Sequence, residues 1–148
     1  RIDLEKERRV QRTCLEAIEA GLVSSAHDCS EGGLAVALAE CCFSHPGHEI
    51  GAEIQLSTFG FSSASLPLVP TRTDALLFGE TQSRIVVSCS PENLDELRST
   101  ARRNKTSFSK LGEVRKDRLI IKKEEDVLAD ASIDELEKEW KEGLARYL

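Results

Sequence analysis

The run Ser25-Ala26-His27-Asp28-Cys29-Ser30-Glu31-Gly32-Gly33-Leu34 holds most of the chain's chemical vocabulary in one short stretch. The first N–H groups of a helix have no partner inside the helix and carry partial positive charge. Two adjacent glycines, Gly32 and Gly33, remove the Cβ atoms that would keep a ligand off such a backbone. Ser30 adds a hydroxyl able to cap the helix or to bond a ligand oxygen, and His27 and Asp28 lie on the approach. These residues fit a seat for a phosphate or nucleotide. Short glycine motifs more often mark a plain capped helix start, with Gly32 and Gly33 relieving a tight turn and Asp28 serving turn N–H groups. The glycine spacing matches neither the Walker loop nor the dinucleotide fingerprint.

Other groupings carry less. A nucleophilic Cys29 beside His27 has no obvious orienting partner. Cys41, Cys42, His45 and His48 are ligand types for zinc, but their spacing is not that of paired knuckles, and the cysteines fall on an apolar helix face. No catalytic residue and no metal ligand is assigned. The run Lys122-Lys123-Glu124-Glu125-Asp126 reads as a solvated charged turn, and Trp140 and Tyr147 as packing against a sheet.

The elements that position the loop follow from periodicity. Val10, Cys14, Ala17 and Ile18 recur at helical spacing and Gly21 stands at the end, predicting a helix over 3–20. A strand over 22–26 leads into the loop. A helix follows, with Leu34, Leu38, Cys41 and Cys42 on one face, and stops before Pro46. Ile50, Ala52, Ile54 and Leu56 alternate as a half-buried strand does. Residues 57–73, rich in Ser and carrying Pro67 and Pro70, read as a loop or lid. Segments 74–78 and 85–89 read as strands. Ser90 and Pro91 then open a helix with Leu94, Leu97 and Ala101 buried. Short strands are expected at 107–111, 113–115 and 118–121. Ser132 and Glu135, at capping-box spacing, start a last helix with Leu136, Trp140, Leu144 and Tyr147 on its apolar face. The expected class is α+β, helices packed on a mixed, largely antiparallel sheet.

The 148 residues suit a single domain over 1–148 with one core. A net charge of -6 argues against a general nucleic-acid binder. No apolar stretch has the length to span a bilayer, and residues 1–10 lack the apolar centre of a secretory signal. The five cysteines are odd in number, which predicts reduced thiols in a cytoplasmic protein. Arg1 follows no initiator and the chain contains no Met, predicting a processed or excised piece.

Three blocks in order carry a resemblance. Residues 25–40 look like the second-repeat signature of the phosphoribosylformylglycinamidine synthase family, which is related to aminoimidazole ribonucleotide synthetase. Ala75-Leu76-Leu77-Phe78-Gly79-Glu80-Thr81-Gln82-Ser83-Arg84-Ile85-Val86-Val87-Ser88 is similar to that family's next block, and Leu111-Gly112-Glu113-Val114 resembles the third. The resemblance implies the C-terminal domain of a larger ATP-dependent ligase, a layered α/β/α unit of partly ferredoxin-like topology. It implies ATP or ADP and Mg2+ in the full enzyme, and as partners the preceding domains, a glutaminase subunit and a small accessory subunit. Nucleic acid and membrane are not among them. It carries over Glu80, Gln82, Ser83 and Arg84 as ligand- or interface-facing candidates, with an internal Glu80–Arg84 salt bridge as the structural alternative. Two rival roles stay open: a scaffold completing a pseudo-active site, or another ATP-using member of the superfamily.

Overall fold

The structure, a computed structural model, describes residues 3–43, 50–56 and 72–143. The element order is α1 (Leu4–Glu19), β1 (Ser25–Asp28), α2 (Gly33–Phe43), β2 (Gly51–Gln55), α3 (Thr73–Phe78), β3 (Ile85–Ser88), α4 (Leu94–Arg103), β4 (Gly112–Arg115), β5 (Arg118–Lys123), β6 (Asp126–Ser132) and α5 (Ile133–Glu142). This is the expected α+β class. The chain divides into two compact units, Arg1–Ala37 with Thr71–Phe108 and Leu38–Pro70 with Ser109–Leu148.

In the first unit, the Asp3 carboxylate accepts from Lys6 N–H at 3.0 Å and starts α1, with Glu5 and Glu7 in its positive first turn. Gly21, at φ 66, ends the helix in the left-handed geometry that glycine takes most readily. The buried face is Thr13 and Ala17, whereas Ile18, expected inside, is 51% exposed. Thr13 lies under the helix because its hydroxyl has two partners. It donates to Arg9 O at 2.7 Å and lies 2.8 Å from the Thr106 hydroxyl. A short 3-10 turn, Pro91–Asn93, precedes α4, which packs on α1 and buries Leu97, Thr100 and Ala101.

β1 and β3 pair antiparallel from Ser25↔Ser88 to Asp28↔Ile85. The first strand therefore begins later than expected and includes His27 and Asp28, read beforehand as loop. The ladder extends through Ser24 N to Ser88 O, 2.8 Å, and Cys29 N to Arg84 O, 3.1 Å. Segment 74–78, expected as a strand, is the helix α3. Leu76 and Leu77 are both buried, and adjacent burial suits a helix, where a strand would turn alternate residues outward. A short apolar run does not distinguish the two by periodicity.

The second unit is built on a mixed sheet in the order β4-β2-β5-β6, antiparallel except for β2 with β5. Ile54, Leu119, Ile121 and Ile133 are its most buried large apolar residues, together with Leu38 and Leu56. Two expectations fail here. Segment 107–111 forms no strand, and β6, not foreseen, turns back on β5 through Glu124 and Glu125. The charged run at 122–126 thus supplies two strand ends as well as a turn. The capping box holds, with Glu135 N to Ser132 Oγ at 3.3 Å and Ser132 N to Glu135 Oε2 at 3.1 Å. Trp140 is 59% exposed and meets the Phe43 ring at 6.2 Å between centroids, so it does not pack under the sheet as expected. Most of the expected 57–73 loop, and Leu144, Tyr147, His45 and His48, lie outside the described residues.

Candidate functional site

Antiparallel pairing places the exit of β1 beside the entrance of β3. Asp28, Cys29 and Ser30 therefore adjoin the loop at 79–84, about fifty residues away along the chain. Together they line an open cleft of about 540 Å³ in the first unit. Glu80, Gln82, Ser83 and Arg84 face it from the loop. Glu7 and Gln11 of α1, which no sequence motif singles out, complete the wall. His27, Gly32 and Gly33 are not part of the lining.

Two remote contacts and one local one hold the 79–84 loop. Gly32 N–H donates to Glu80 Oε1 at 3.0 Å. The Ser83 hydroxyl donates to Glu7 Oε2 at 2.6 Å, while Gln11 donates to the other oxygen of Glu7 at 2.7 Å. Arg84 donates to Gly79 O and, at 3.4 Å, to Leu76 O, the carbonyls at the negative end of α3. The anticipated Glu80–Arg84 salt bridge does not form, because each side chain is committed to main-chain groups instead. Arg84 Nε is buried and without a partner.

The two glycines have an internal reason to be there. Gly32 and Gly33 both take positive φ, 70 and 71. A Cβ at Gly33 would come within 2.7 Å of Phe78 C and 2.8 Å of Leu77 O. Gly33 lets the start of α2 lie directly against the backbone of α3. At Gly33 the close approach is therefore to the protein's own backbone.

Electrostatics follow these contacts. The bond from Ser30 holds the Asp28 carboxyl below its ordinary range, outweighing the opposing effect of burial, with lesser help from its own N–H and from His27. His27 Nδ1 lies 2.7 Å from Asp28 O, so the ring engages the main chain beside it. Bonds from Ser83 and then Gln11 lower Glu7 likewise. Burial pushes the Cys29 thiol up and outweighs the lowering by Arg84, the opposite of what a nucleophile needs. Burial, with Cys41 adjacent, pushes Cys42 up to about 11. Among the described residues no three His, Cys, Asp or Glu side chains gather as a metal set. None of the described helices is long and apolar enough to cross a membrane.

A family model described as AIR synthase related protein, C-terminal domain, matches residues 1–123. The phosphoribosylformylglycinamidine synthase subunit PurL of Anaeromyxobacter dehalogenans is 41% identical over 147 residues, 99% of this chain and 18% of the relative. That of Moorella thermoacetica is 37% identical over 143 residues, 97% of this chain and 18% of the relative. The chain thus spans less than a fifth of the length of these curated relatives. Among solved structures, PurLQS from Thermotoga maritima superposes with a TM-score of 0.76 at 22% identity, covering 91% of this chain and 22% of that one. T. maritima PurL complexed with ATP gives 0.72 at 22% identity, covering 86% and 21%. Those two likenesses establish the fold, and the curated relatives bear out the resemblance carried by the three sequence blocks.

Proposed function

The chain belongs to the AIR synthase related protein, C-terminal domain, family, and from that premise we propose that it acts as the C-terminal domain of a phosphoribosylformylglycinamidine synthase. The whole enzyme would convert formylglycinamide ribonucleotide, ATP and glutamine-derived ammonia into the formamidine in purine biosynthesis. This domain would supply one wall of a nucleotide or substrate site that preceding domains complete. By itself it would have no synthase activity. A glutaminase and a small accessory subunit would be its partners in the assembly, as the PurLQS complex of the T. maritima relative suggests.

One observation carries the reading. Two blocks remote in sequence are joined by the β1–β3 ribbon so that Asp28, Ser30, Glu80, Gln82, Ser83 and Arg84 face one cleft. In that cleft the hydroxyls and amides would orient a ligand. Gly32 and Gly33 would shape the loop without touching it, and His27 would brace Asp28 from the side. ATP or ADP would bring its own phosphate-bound Mg2+, since the described side chains gather no metal set of their own. The nucleotide would supply phosphoryl-transfer chemistry, and the residues here would bind and orient.

A second reading has its own support. The turn's Gly32 N–H and the space beside Gly33 are both used internally, as a scaffold completing a pseudo-active site would use them. Titration of the chain with ADP and magnesium, followed by amide NMR, separates the two. The binding role predicts saturable shifts at Ser30, Gln82 and Ser83 that Gln82→Ala and Ser30→Ala weaken. Unchanged spectra at millimolar ADP, with the fold intact, would leave the scaffold.

A further inference from the structure

Ser83 is held in a backbone conformation that its side chain disfavours. It takes φ 63, in the left-handed region where a Cβ crowds the following carbonyl. The loop around it is fixed at both ends. Gly79 N–H donates to Ala75 O at 3.1 Å where α3 ends, and Cys29 N–H donates to Arg84 O at 3.1 Å, extending the β1–β3 ladder. Ser83 is therefore the joint between the ladder and the free part of the loop. Its φ sets the direction in which Thr81 and Gln82, both exposed, enter the cleft. Such a conformation persists only where its surroundings hold it. The hold comes from Glu7 on α1, 76 residues away, whose Oε2 accepts the Ser83 hydroxyl at 2.6 Å. The Ser83 main-chain N–H bears on the same carboxylate. Gln11, one turn along α1, donates to Glu7 Oε1 at 2.7 Å and fixes the carboxylate's orientation. Glu7, Gln11 and Ser83 all line the cleft.

We infer that Glu7 is the positioning residue of the cleft, gripping Ser83 in left-handed geometry so that Thr81 and Gln82 are presented to a ligand. The inference rests on the nucleotide reading for its ligand, whereas the grip itself is a property of the free chain. Glu7 acts through Ser83 and not by touching the ligand. That role makes a specific demand. The grip matters because Ser83 carries a Cβ, and glycine takes the left-handed region without that penalty. Ser83→Gly should therefore make Glu7 dispensable, a coupling between the two positions that a double-variant comparison reads directly.

The test uses the full chain, isotope-labelled for NMR, with magnesium-ADP as the probe. A strong NOE between the N–H and Hα of Ser83 marks its left-handed state. Glu7→Ala should lose that NOE and shift the Thr81 and Gln82 amides. It should weaken magnesium-ADP about tenfold, the population lost when a left-handed residue loses its support. Glu7→Gln keeps an acceptor for the hydroxyl and should lose less. Glu7→Ala combined with Ser83→Gly should recover affinity toward wild type although the carboxylate is gone. A residue that serves only stability, or that touches the ligand itself, gives no such recovery. A folded Glu7→Ala protein that keeps the Ser83 NOE overturns the inference. So does a double variant that binds no better than Glu7→Ala. Should the alanine variant fail to fold, Glu7→Gln with and without Ser83→Gly carries the same comparison. If wild type ignores magnesium-ADP, the nucleotide reading falls, and the NOE and loop shifts alone decide whether Glu7 sets the loop.

Discussion

Both compact units carry surface ion pairs, among them Arg12–Glu16 and Arg98–Asp95 in the first and Lys122–Glu53 in the second, and they differ in what else their charged side chains hold. In the first, Glu80 and Arg84 reach main-chain groups of elements remote in sequence or in the preceding helix. In the second, charged side chains mostly pair with one another on the sheet. Glu53 and Glu113 face each other across β2 and β4, a destabilising arrangement for like charges. It is relieved by Lys122 at 2.6 Å and Arg115 at 3.6 Å from Glu53, and by Lys110 at 3.0 Å and Arg115 at 2.8 Å from Glu113. A side chain bonded to main chain sets the path of a loop. A side chain paired with another at an exposed surface sets little. The cleft lies in the unit where loops are tied by the first kind of contact.

Substitutions can break or sharpen that contrast. The largest loss is expected for Ile121→Ala, since Ile121 is 1% exposed in the interior of the second unit. Chemical denaturation should show about 4 kcal/mol lost, with no change in ligand response at the cleft of the first unit. Gly33→Ala should follow at about 3 kcal/mol, from left-handed strain and overpacking against the α3 backbone. Amide shifts at Leu77 and Phe78 would locate the damage. A neutral Gly33→Ala would mean that α2 and α3 do not approach as described.

Ser83→Ala should lose about 0.5–1 kcal/mol, a charge-assisted bond reduced by its exposure. Its signature is in the pH dependence. Because the bonds from Ser83 and Gln11 hold Glu7 below its ordinary range, their stabilisation is full above that range and disappears as pH falls through the lowered value. In the variant Glu7 should titrate at higher pH, read from its side-chain carboxyl resonance. The stability difference from wild type should close in acid, where Glu7 is protonated in both. Glu53→Gln should move the unfolding midpoint least, because it removes an exposed ion pair and a like-charge opposition together. A midpoint shift equal to that of Ser83→Ala would erase the distinction between the units.

Legibility along the chain follows the range of the interactions. The capping box at Ser132, the left-handed Gly21 and the first helix are local, and the residues involved announce them. β6 was invisible because alanines and aspartates around Val127 have little strand propensity, and only pairing with β5 makes them one. α3 was misread because four apolar residues suit either element until the burial of both Leu76 and Leu77 decides. Glu7 and Gln11 joined the cleft unforeseen, since nothing in an amphipathic pattern says which polar residues look into a site.

By itself the sequence determined the family, the mixed class of the fold and the two blocks from which the cleft is made. Residue types and short spacings suffice for those. Only the tertiary structure decided that Gly33 lies against the backbone of α3, that Glu80 closes on an N–H rather than on Arg84, and that the two blocks share a wall. Each of those outcomes depends on which distant backbone group comes within hydrogen-bond reach. Strand pairing and helix contact create that proximity, and no local pattern encodes it.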